Sequence, residues 1–204
     1  FLFAEMPNLT SIAGLSHQLT NTNISTFLMM NTGLANLSGM DSVTSSSNFY
    51  IWGNPNLASL HGLEQLTGDI FGGGLSIWNN NLLTDISALS NINAVAGTLE
   101  IRGNNALTDL TGLGNITTIG DGLWVNENPE ITSLGFLNNT LIIQNDNNDD
   151  VIIKDNNQLA LCSFTPLCNY LGGSGVAAIQ NNAPGCNSIA EILATCNTCA
   201  TSIL

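Results

Sequence analysis

The chain of 204 residues is 44% hydrophobic and only 8% charged, so it is long enough for one domain with a real core and too apolar to be disordered. Its net charge is −13, with Arg102 and Lys154 as the only cations. This charge argues against binding nucleic acid or anionic lipid, both of which need Lys and Arg to meet phosphate. No apolar run approaches the roughly 18 residues of a membrane helix, so direct membrane insertion is not expected.

A phrase of the form L-x-I-x-x-N-x-x-L-x-x-L-x-x-L recurs along the chain and is clearest between Leu99 and Leu113. The apolar residue that follows the Asn turn marks each repeat start, and the starts are spaced by 25, 23, 26, 24, 24 and 28 residues: Leu9, Leu34, Leu57, Leu83, Leu107, Ile131 and Leu159. This is the period of leucine-rich repeats. After each start, apolar residues recur at every third position, which suits an extended or 3-10 segment better than an α-helix.

A short strand with an apolar-x-apolar pattern is predicted eight residues before each start. The inward pairs would be Phe1/Phe3, Thr26/Leu28, Phe49/Ile51, Leu75/Ile77, Leu99/Ile101, Leu123/Val125, Val151/Ile153 and, in degenerate form, Val176/Ala178. We therefore predict a mainly β, right-handed repeat solenoid. It would have one parallel sheet of about seven to eight short strands, with irregular or 3-10 segments on the other side.

An asparagine stands three residues before most repeat starts, where each coil must turn sharply after its strand. Its amide can pair inward backbone groups of the coils above and below, so we predict a structural ladder rather than a ligand site. The predicted members are Asn31, Asn54, Asn80, Asn104, Asn128 and Asn156, with Asn181 in the last coil and Met6 replacing Asn in the first.

The chain divides into a solenoid over residues 1–158, with repeat starts near 9, 34, 57, 83, 107 and 131, and a Cys-containing cap over residues 159–204. Ser188 and Glu191 have the spacing of a capping box, so a short helix is predicted over 189–196, covering the open end of the last coil. Because the chain opens on Phe1 with no Met and no signal peptide, we expect a processed product or an excised piece.

The five cysteines all lie in the last fifth of the chain: Cys162, Cys168, Cys186, Cys196 and Cys199. This favours disulfides in an oxidising compartment. Zinc is the weaker alternative, because Cys196-Asn-Thr-Cys199 has no second paired motif. Cys162 and Cys186 occupy equivalent sites one coil apart, and the distance between neighbouring coils suits a disulfide. We predict Cys162–Cys186 and Cys168–Cys196, although four cysteines allow three connectivities.

The acidic turn at residues 145–150 is a weak calcium candidate. Asp146, Asn148 and Asp150 alternate as calcium ligands often do, but the glycine and the distal glutamate of a known calcium loop are missing. A solvated turn is the simpler interpretation, and no cofactor is otherwise expected.

The repeat, together with Gly97 or Gly122 just before the next strand, resembles the receptor L domain, the leucine-rich-repeat-related module of insulin-receptor and epidermal-growth-factor-receptor ectodomains. Secreted bacterial leucine-rich surface proteins carry similar repeats, and the segment from Leu159 to Cys196 resembles their C-terminal cap. In that family the parallel sheet commonly supplies a recognition surface. The resemblance therefore implies an extracellular or cell-surface protein, and the low Lys content favours a microbial one.

Side chains that point out of the strands would form one face of the sheet, since they alternate with period two. The outward pairs are Leu2/Ala4, Phe27/Met29, Tyr50/Trp52, Ser76/Trp78, Glu100/Arg102, Trp124/Asn126 and Ile152/Lys154. All three tryptophans and both cations fall in this set. Strands favour aromatics in any case and a loop could cover them, but contiguous aromatic area usually marks an interface. The predicted ligand-binding face is Tyr50, Trp52, Trp78, Glu100, Arg102, Trp124, Asn126 and Lys154.

Recognition or adhesion, with a glycan or a protein as ligand, is the function that this pattern favours. The alternative is a structural subunit that self-assembles into a filament or surface layer. Catalysis is not expected: His17 and His61 lie between strands, and Glu100 is the only carboxylate among the outward pairs, whereas hydrolysis needs a nucleophile with a base or two facing carboxylates.

Overall fold

The computed structural model describes residues 2–16, 22–137, 142–143, 151–173 and 175–200. The chain is a parallel β-solenoid of about six turns. In chain order its strands are β1 (Leu2–Met6), β2 (Thr22–Ile24), β3 (Phe27–Thr32), β4 (Val43–Ser46), β5 (Asn48–Trp52), β6 (Gly68–Ile70), β7 (Gly74–Trp78), β8 (Ile92–Val95), β9 (Thr98–Arg102), β10 (Thr118–Ile119), β11 (Gly122–Asn126), β12 (Ile142–Ile143), β13 (Val151–Lys154) and β14 (Ala177–Gln180).

One sheet contains eight parallel strands in the order β1-β3-β5-β7-β9-β11-β13-β14, which confirms the predicted fold class. Strands β12-β10-β8-β6 form a second sheet, and β2 pairs with β4. Short 3-10 turns occupy Ala13–Leu15, Ser87–Leu89 and Thr111–Leu113. The second sheet was not predicted, because apolar residues at every third position fit both extended and 3-10 backbone.

The core lies between the sheets and is filled by the repeat positions. In the fifth coil, Leu99, Ile101, Leu107, Leu110 and Leu113 are each at most 1% exposed. A single coil cannot bury this apolar surface by itself, so each coil is stabilised by its neighbours.

Close stacking of the coils requires glycine at Gly62. This residue has φ +107°, and a Cβ there would overlap the carbonyl of Leu37 in the preceding coil. A side chain at this position would therefore force the two coils apart.

The asparagine ladder runs through the buried turn. The Oδ1 atom of each ladder asparagine accepts the backbone N–H of the ladder residue one coil earlier, at 3.0–3.1 Å. Its Nδ2 donates to a strand carbonyl of that earlier coil, as Asn104 does to Ile77 at 2.9 Å. Five predicted members, Asn54, Asn80, Asn104, Asn128 and Asn156, are 0% exposed.

The ladder differs from prediction at both of its ends. Asn31 is exposed and donates to Glu5 Oε2 at 2.7 Å, while Thr32 takes the ladder position and donates from its N–H to Asn54. At the other end Asn182, not Asn181, accepts the N–H of Asn156. Asn31 and Asn181 are therefore not ladder residues.

The outer strands of the second and the last coil, β3 and β14, are displaced by one residue from the predicted register. In β3, Phe27 and Met29 are fully buried, and Leu28 and Met30 point outward. The cause is a shorter second coil, with one residue fewer between its ladder position and Leu34 than its neighbours have. A slip of one residue exchanges the two faces of a strand.

In β14 the residues that pair with Val151 and Ile153 are Ala177 and Ile179, not Val176 and Ala178. No leucine start follows this strand to fix its register in the sequence.

Two helices cover the end of the solenoid: α1 (Thr165–Gly172) and α2 (Ile189–Ala200). Helix α2 begins at the predicted capping box, where Ser188 Oγ accepts the N–H of Glu191 at 3.2 Å, and it extends four residues beyond the predicted end. Helix α1 was not predicted, although Pro166 near its start is a helix-initiation signal.

The disulfide prediction is confirmed. Cys162 bonds to Cys186 and Cys168 to Cys196, with Cα–Cα distances of 5.6 and 5.8 Å. Two disulfides fit an oxidising environment. Among the described residues, no helix combines the length and the apolarity needed to cross a membrane.

Candidate functional site: the outer face of the eight-stranded sheet

The sheet face consists of two columns of outward side chains, one residue from each strand. The first column is Leu2, Leu28, Tyr50, Ser76, Glu100, Trp124, Ile152 and Ala178. The second is Ala4, Met30, Trp52, Trp78, Arg102, Asn126, Lys154 and Gln180. The structure thus places all eight residues predicted for the ligand-binding face on this one surface. Phe27 and Met29, predicted to point outward, belong to the core instead.

Tyr50, Trp52, Trp78 and Arg102 form a continuous aromatic cluster in the middle of the sheet face. The rings of Tyr50 and Trp52 lie 5.2 Å apart between centroids, and those of Trp52 and Trp78 lie 6.0 Å apart in an edge-to-face arrangement. The Arg102 guanidinium stands 5.1 Å above the Trp78 ring. Each side chain is partly buried by its neighbours, so the rings are packed into one surface rather than isolated on it.

A chain of hydrogen bonds fixes the orientation of the cluster. Trp52 Nε1 donates to Ser76 Oγ at 2.9 Å, and Ser76 Oγ donates to Glu100 Oε2 at 2.7 Å. The serine is only 5% exposed. The polar edge of the Trp52 indole is therefore linked through Ser76 to a carboxylate two coils away. This restricts the rotation of the ring and leaves its apolar surface for other contacts.

Glu127 holds Arg102 in place over Trp78. Arg102 Nη2 donates to Glu127 Oε1 at 3.0 Å. Both side chains are partly exposed, so the ion pair itself contributes little to folding free energy. Its effect is positional, because it keeps the guanidinium plane near the indole.

Two buried polar atoms of the sheet face belong to residues that pair in register on β9 and β11. Arg102 Nε and Asn126 Oδ1 occupy neighbouring strands and are the buried side-chain atoms without a hydrogen-bond partner in the part of the chain that the structure describes. Native proteins leave few such atoms unpaired. A donor and an acceptor are thus both present at the point where the aromatic cluster meets the polar half of the face.

Sequence reasoning missed two residues that organise this site, Ser76 and Glu127. Ser76 has the outward position that the strand pattern gives, but a serine carries no signal of its own. Glu127 follows β11 in the left-handed region, with φ 57°, so strand alternation does not place it.

Of the other residues that the sequence singled out for chemistry, His61 lies away from the sheet face. His61 is on the segment between β5 and β6, where its Nδ1 lies 2.7 Å from Glu64 Oε1. Partial burial acts to raise the pKa of Glu64, but hydrogen bonds from its own N–H, from His61 and from Gly62 outweigh this and lower it. His17 and the calcium candidates Asp146, Asn148 and Asp150 lie outside the described residues. Within the described ranges, no three His, Cys, Asp or Glu residues are grouped so as to hold a metal ion.

The comparisons with known proteins assign no relative. No family model, no curated protein and no solved structure matches the chain. The geometry of the sheet face is therefore the basis for a functional proposal.

Proposed function

We propose that the chain is a non-catalytic recognition or adhesion module, acting outside the cell or at its surface, and that it binds a glycan or a protein through the sheet face. The observation that carries the proposal is the aromatic cluster of Tyr50, Trp52, Trp78 and Arg102, held in one orientation by Ser76, Glu100 and Glu127. Tyr, Trp and Arg are the residue types that dominate binding hot spots. A surface whose side chains are already fixed loses little conformational entropy on binding.

The scaffold and the cap support the same assignment. We infer that the coils are leucine-rich repeats of the receptor L-domain type, because period, strand pattern and asparagine ladder follow the motif. Two disulfides at the C-terminal end suit a protein exposed to an oxidising exterior.

The chemistry of the face favours binding over catalysis. Glu100 is the one carboxylate in the two columns of the described strands, and its Oε2 already accepts a hydrogen bond from Ser76. His61 lies between β5 and β6, off the sheet face, and its Nδ1 is 2.7 Å from Glu64 Oε1. Neither an acid–base pair nor a nucleophile with its base is assembled on the face.

The test is binding of the labelled protein to a glycan array and to a panel of purified extracellular-matrix proteins. Trp52→Ala, Trp78→Ala and Trp124→Ala should each weaken binding to whatever the parent recognises. Phe71→Ala is the matched control, because Phe71 is 73% exposed and lies off the sheet face, so binding should not change. If binding survives all three tryptophan substitutions, the sheet face is not the binding surface. If the parent protein binds nothing in either panel, the proposal is excluded.

A second candidate is a structural subunit that self-assembles, and exposed apolar residues favour it. Leu2 and Met6 on β1 are 63% and 45% exposed. Contiguous exposed apolar area often marks contact with another chain. Light scattering over a range of concentrations, with Leu2→Lys as the disrupting variant, separates the two candidates: a parent that stays monomeric at high concentration contradicts self-assembly.

A further inference from the structure

An open groove lies on the outer side of the second sheet, next to the corner that leads to the eight-stranded sheet. Its volume is about 270 Å³, and its lining is mostly apolar. Ile70, Val95 and Ile119 of β6, β8 and β10 are buried, so the residues that alternate with them face outward. The outward residues that line the groove are Asp69, Phe71, Ala94, Ala96, Thr118 and Gly120. We call it the Phe71 groove.

The corner between β6 and β7 is one residue longer than the next two corners, and this brings Phe71 to the surface. It contains residues 71–73, whereas the corners from β8 to β9 and from β10 to β11 contain residues 96–97 and 120–121. The strands on both sides of these corners are in register, so the extra residue forms a bulge. Phe71 on this bulge is 73% exposed, the highest value among the large hydrophobic side chains that the structure describes.

Backbone contacts fix the groove on both sides of the bulge. The N–H of Gly72 donates to the carbonyl of Ser47 at 2.7 Å, and the N–H of Ala96 donates to the carbonyl of Ile70 at 2.8 Å. A Cβ on Gly120 would overlap the carbonyl of Ala96, so the floor beside the Phe71 ring stays free of large side chains.

We propose that the Phe71 groove binds an arginine side chain of a basic partner protein, at a surface separate from the sheet face. Asp69 pairs with the guanidinium, and the ring of Phe71 attracts the same cation through its face. Residues two apart in an extended chain are separated by about 7 Å, a span that one guanidinium group bridges. The methylene groups of the arginine lie on Ala94 and Ala96, as long cationic side chains do on apolar surfaces.

The carboxylate of Asp69 distinguishes a cationic occupant from the other classes. Asp69 forms no ion pair with any residue that the structure describes. An apolar group in the groove would remove water from this carboxylate without replacing it, which costs free energy. An anionic group would be repelled by Asp69 and by Asp121, which is exposed directly after Gly120.

The charge of the whole chain favours the same class of partner. The net charge is −13, and the two cations of the chain, Arg102 and Lys154, lie on the sheet face, on the other side of the core. The field around the groove therefore attracts a basic protein. A second copy of this chain is a poor source of the guanidinium, because its Arg102 is already paired with Glu127.

The experiment is an NMR titration of the isotope-labelled intact chain with the blocked peptide acetyl-Gly-Arg-Gly-amide. Two matched peptides replace the arginine by citrulline, which has the same shape without the charge, or by lysine. The arginine peptide should shift the backbone amide signals of Ala94, Ala96 and Gly120. The citrulline peptide should bind about tenfold more weakly or worse, because its hydrogen bonds to the carboxylate are not charge-assisted. The lysine peptide should be intermediate, since an ammonium group lacks the planar face that stacks on the ring.

The deciding variants are Asp69→Asn and Phe71→Leu, each of which should weaken binding of the arginine peptide by about tenfold. The first removes only the charge, and the second keeps an apolar side chain but removes the ring. Phe71→Tyr retains the ring and should retain the affinity. Glu130→Gln is the matched control for charge, because it also removes one exposed carboxylate, which accepts a hydrogen bond from Gln158 away from the groove.

Three outcomes overturn the proposal: a parent that does not bind the arginine peptide, equal affinity for the arginine and citrulline peptides, or unchanged affinity in the folded variants at Asp69 and Phe71. If Asp69→Asn does not fold, the comparison of Phe71→Leu with Phe71→Tyr decides alone, since this exposed side chain is not needed for folding.

The groove and the sheet face are tested independently. Trp52→Ala should keep the affinity for the arginine peptide, and Phe71→Ala should keep binding through the sheet face. Loss of peptide binding in Trp52→Ala would place the peptide on the sheet face and overturn the groove proposal. Failure of the groove proposal leaves the proposed function of the sheet face intact.

Discussion

Removing one rung of the asparagine ladder tests how the solenoid is held together, and Asn104→Ala is the most informative change. Asn104 is 0% exposed. Its Oδ1 accepts the N–H of Asn80 at 3.0 Å, and its Nδ2 donates to the carbonyls of Ile77 and Arg102 at 2.9 and 3.1 Å. Alanine removes these three bonds together with two longer ones of 3.4 Å, from Asn80 Nδ2 and to Asn128 Oδ1, and leaves the Asn80 N–H buried without that acceptor.

The expected loss follows from these contacts. A buried donor left without its acceptor costs about 1–3 kcal/mol, and each of the two lost amide bonds costs about 0.5–1.5 kcal/mol. The Arg102 carbonyl keeps a second donor, the N–H of Asn79 at 2.9 Å, so its share is at the low end. The free energy of unfolding should therefore fall by about 3–4 kcal/mol, a large part of the stability of a typical domain.

The assay is urea unfolding followed by far-UV circular dichroism with both disulfides intact. Asn31→Gly is the matched control, because it removes an asparagine side chain that is exposed, lies off the ladder and has φ 49°, which glycine adopts freely. Its effect should stay within about 0.5 kcal/mol, as for other surface changes. If Asn104→Ala lowers the free energy of unfolding by less than about 1 kcal/mol, or if the two variants lower it equally, the view that the ladder stabilises the buried turn is refuted.

Three further predictions concern the coils and the cap. Replacing Cys162 and Cys186 together by Ala opens a covalent link between residues 24 apart and should lower the unfolding free energy by about 3 kcal/mol, measured by denaturant titration; an unchanged midpoint would contradict this. Gly62→Ala should cost about 2 kcal/mol or more, because the new Cβ meets the backbone of Leu37, whereas Gly14→Ala, where a Cβ meets nothing within 4 Å, serves as its control in thermal melts. The pKa of Glu64 is held below its ordinary 4.5, so the stabilisation that its carboxylate provides is complete above that pH and is lost as the pH falls through the lowered pKa. The stability of Glu64→Gln should therefore depend less on pH in that window. Identical acid unfolding transitions of the variant and the parent would exclude the effect.

The candidate face could be predicted largely because strand alternation is a local property. Once Leu99 and Ile101 are assigned to the core, Glu100 and Arg102 must point outward. The same logic failed in β3, where a shorter coil shifted the register and moved Phe27 and Met29 inside. An alignment of the repeats on their leucine starts does not reveal that one coil has a residue fewer between its strand and its start.

The contacts that turn this face into a site arise only between coils. Ser76 links Trp52 to Glu100, and Glu127 holds Arg102 over Trp78, across sequence separations of about two dozen residues. No pattern within one repeat indicates which residues of neighbouring repeats will pair.

The sequence by itself determined the parallel solenoid, most of the asparagine ladder, both disulfides and the face on which the tryptophans gather. Each of these depends on a residue type repeated at a fixed period, so that stacking the coils brings like positions together. The tertiary structure alone decided the second sheet, helix α1, the register of the irregular coils and the contacts that fix the aromatic cluster. These depend on the local length of each coil and on side chains of different repeats, and their consequences appear only when neighbouring coils are in contact.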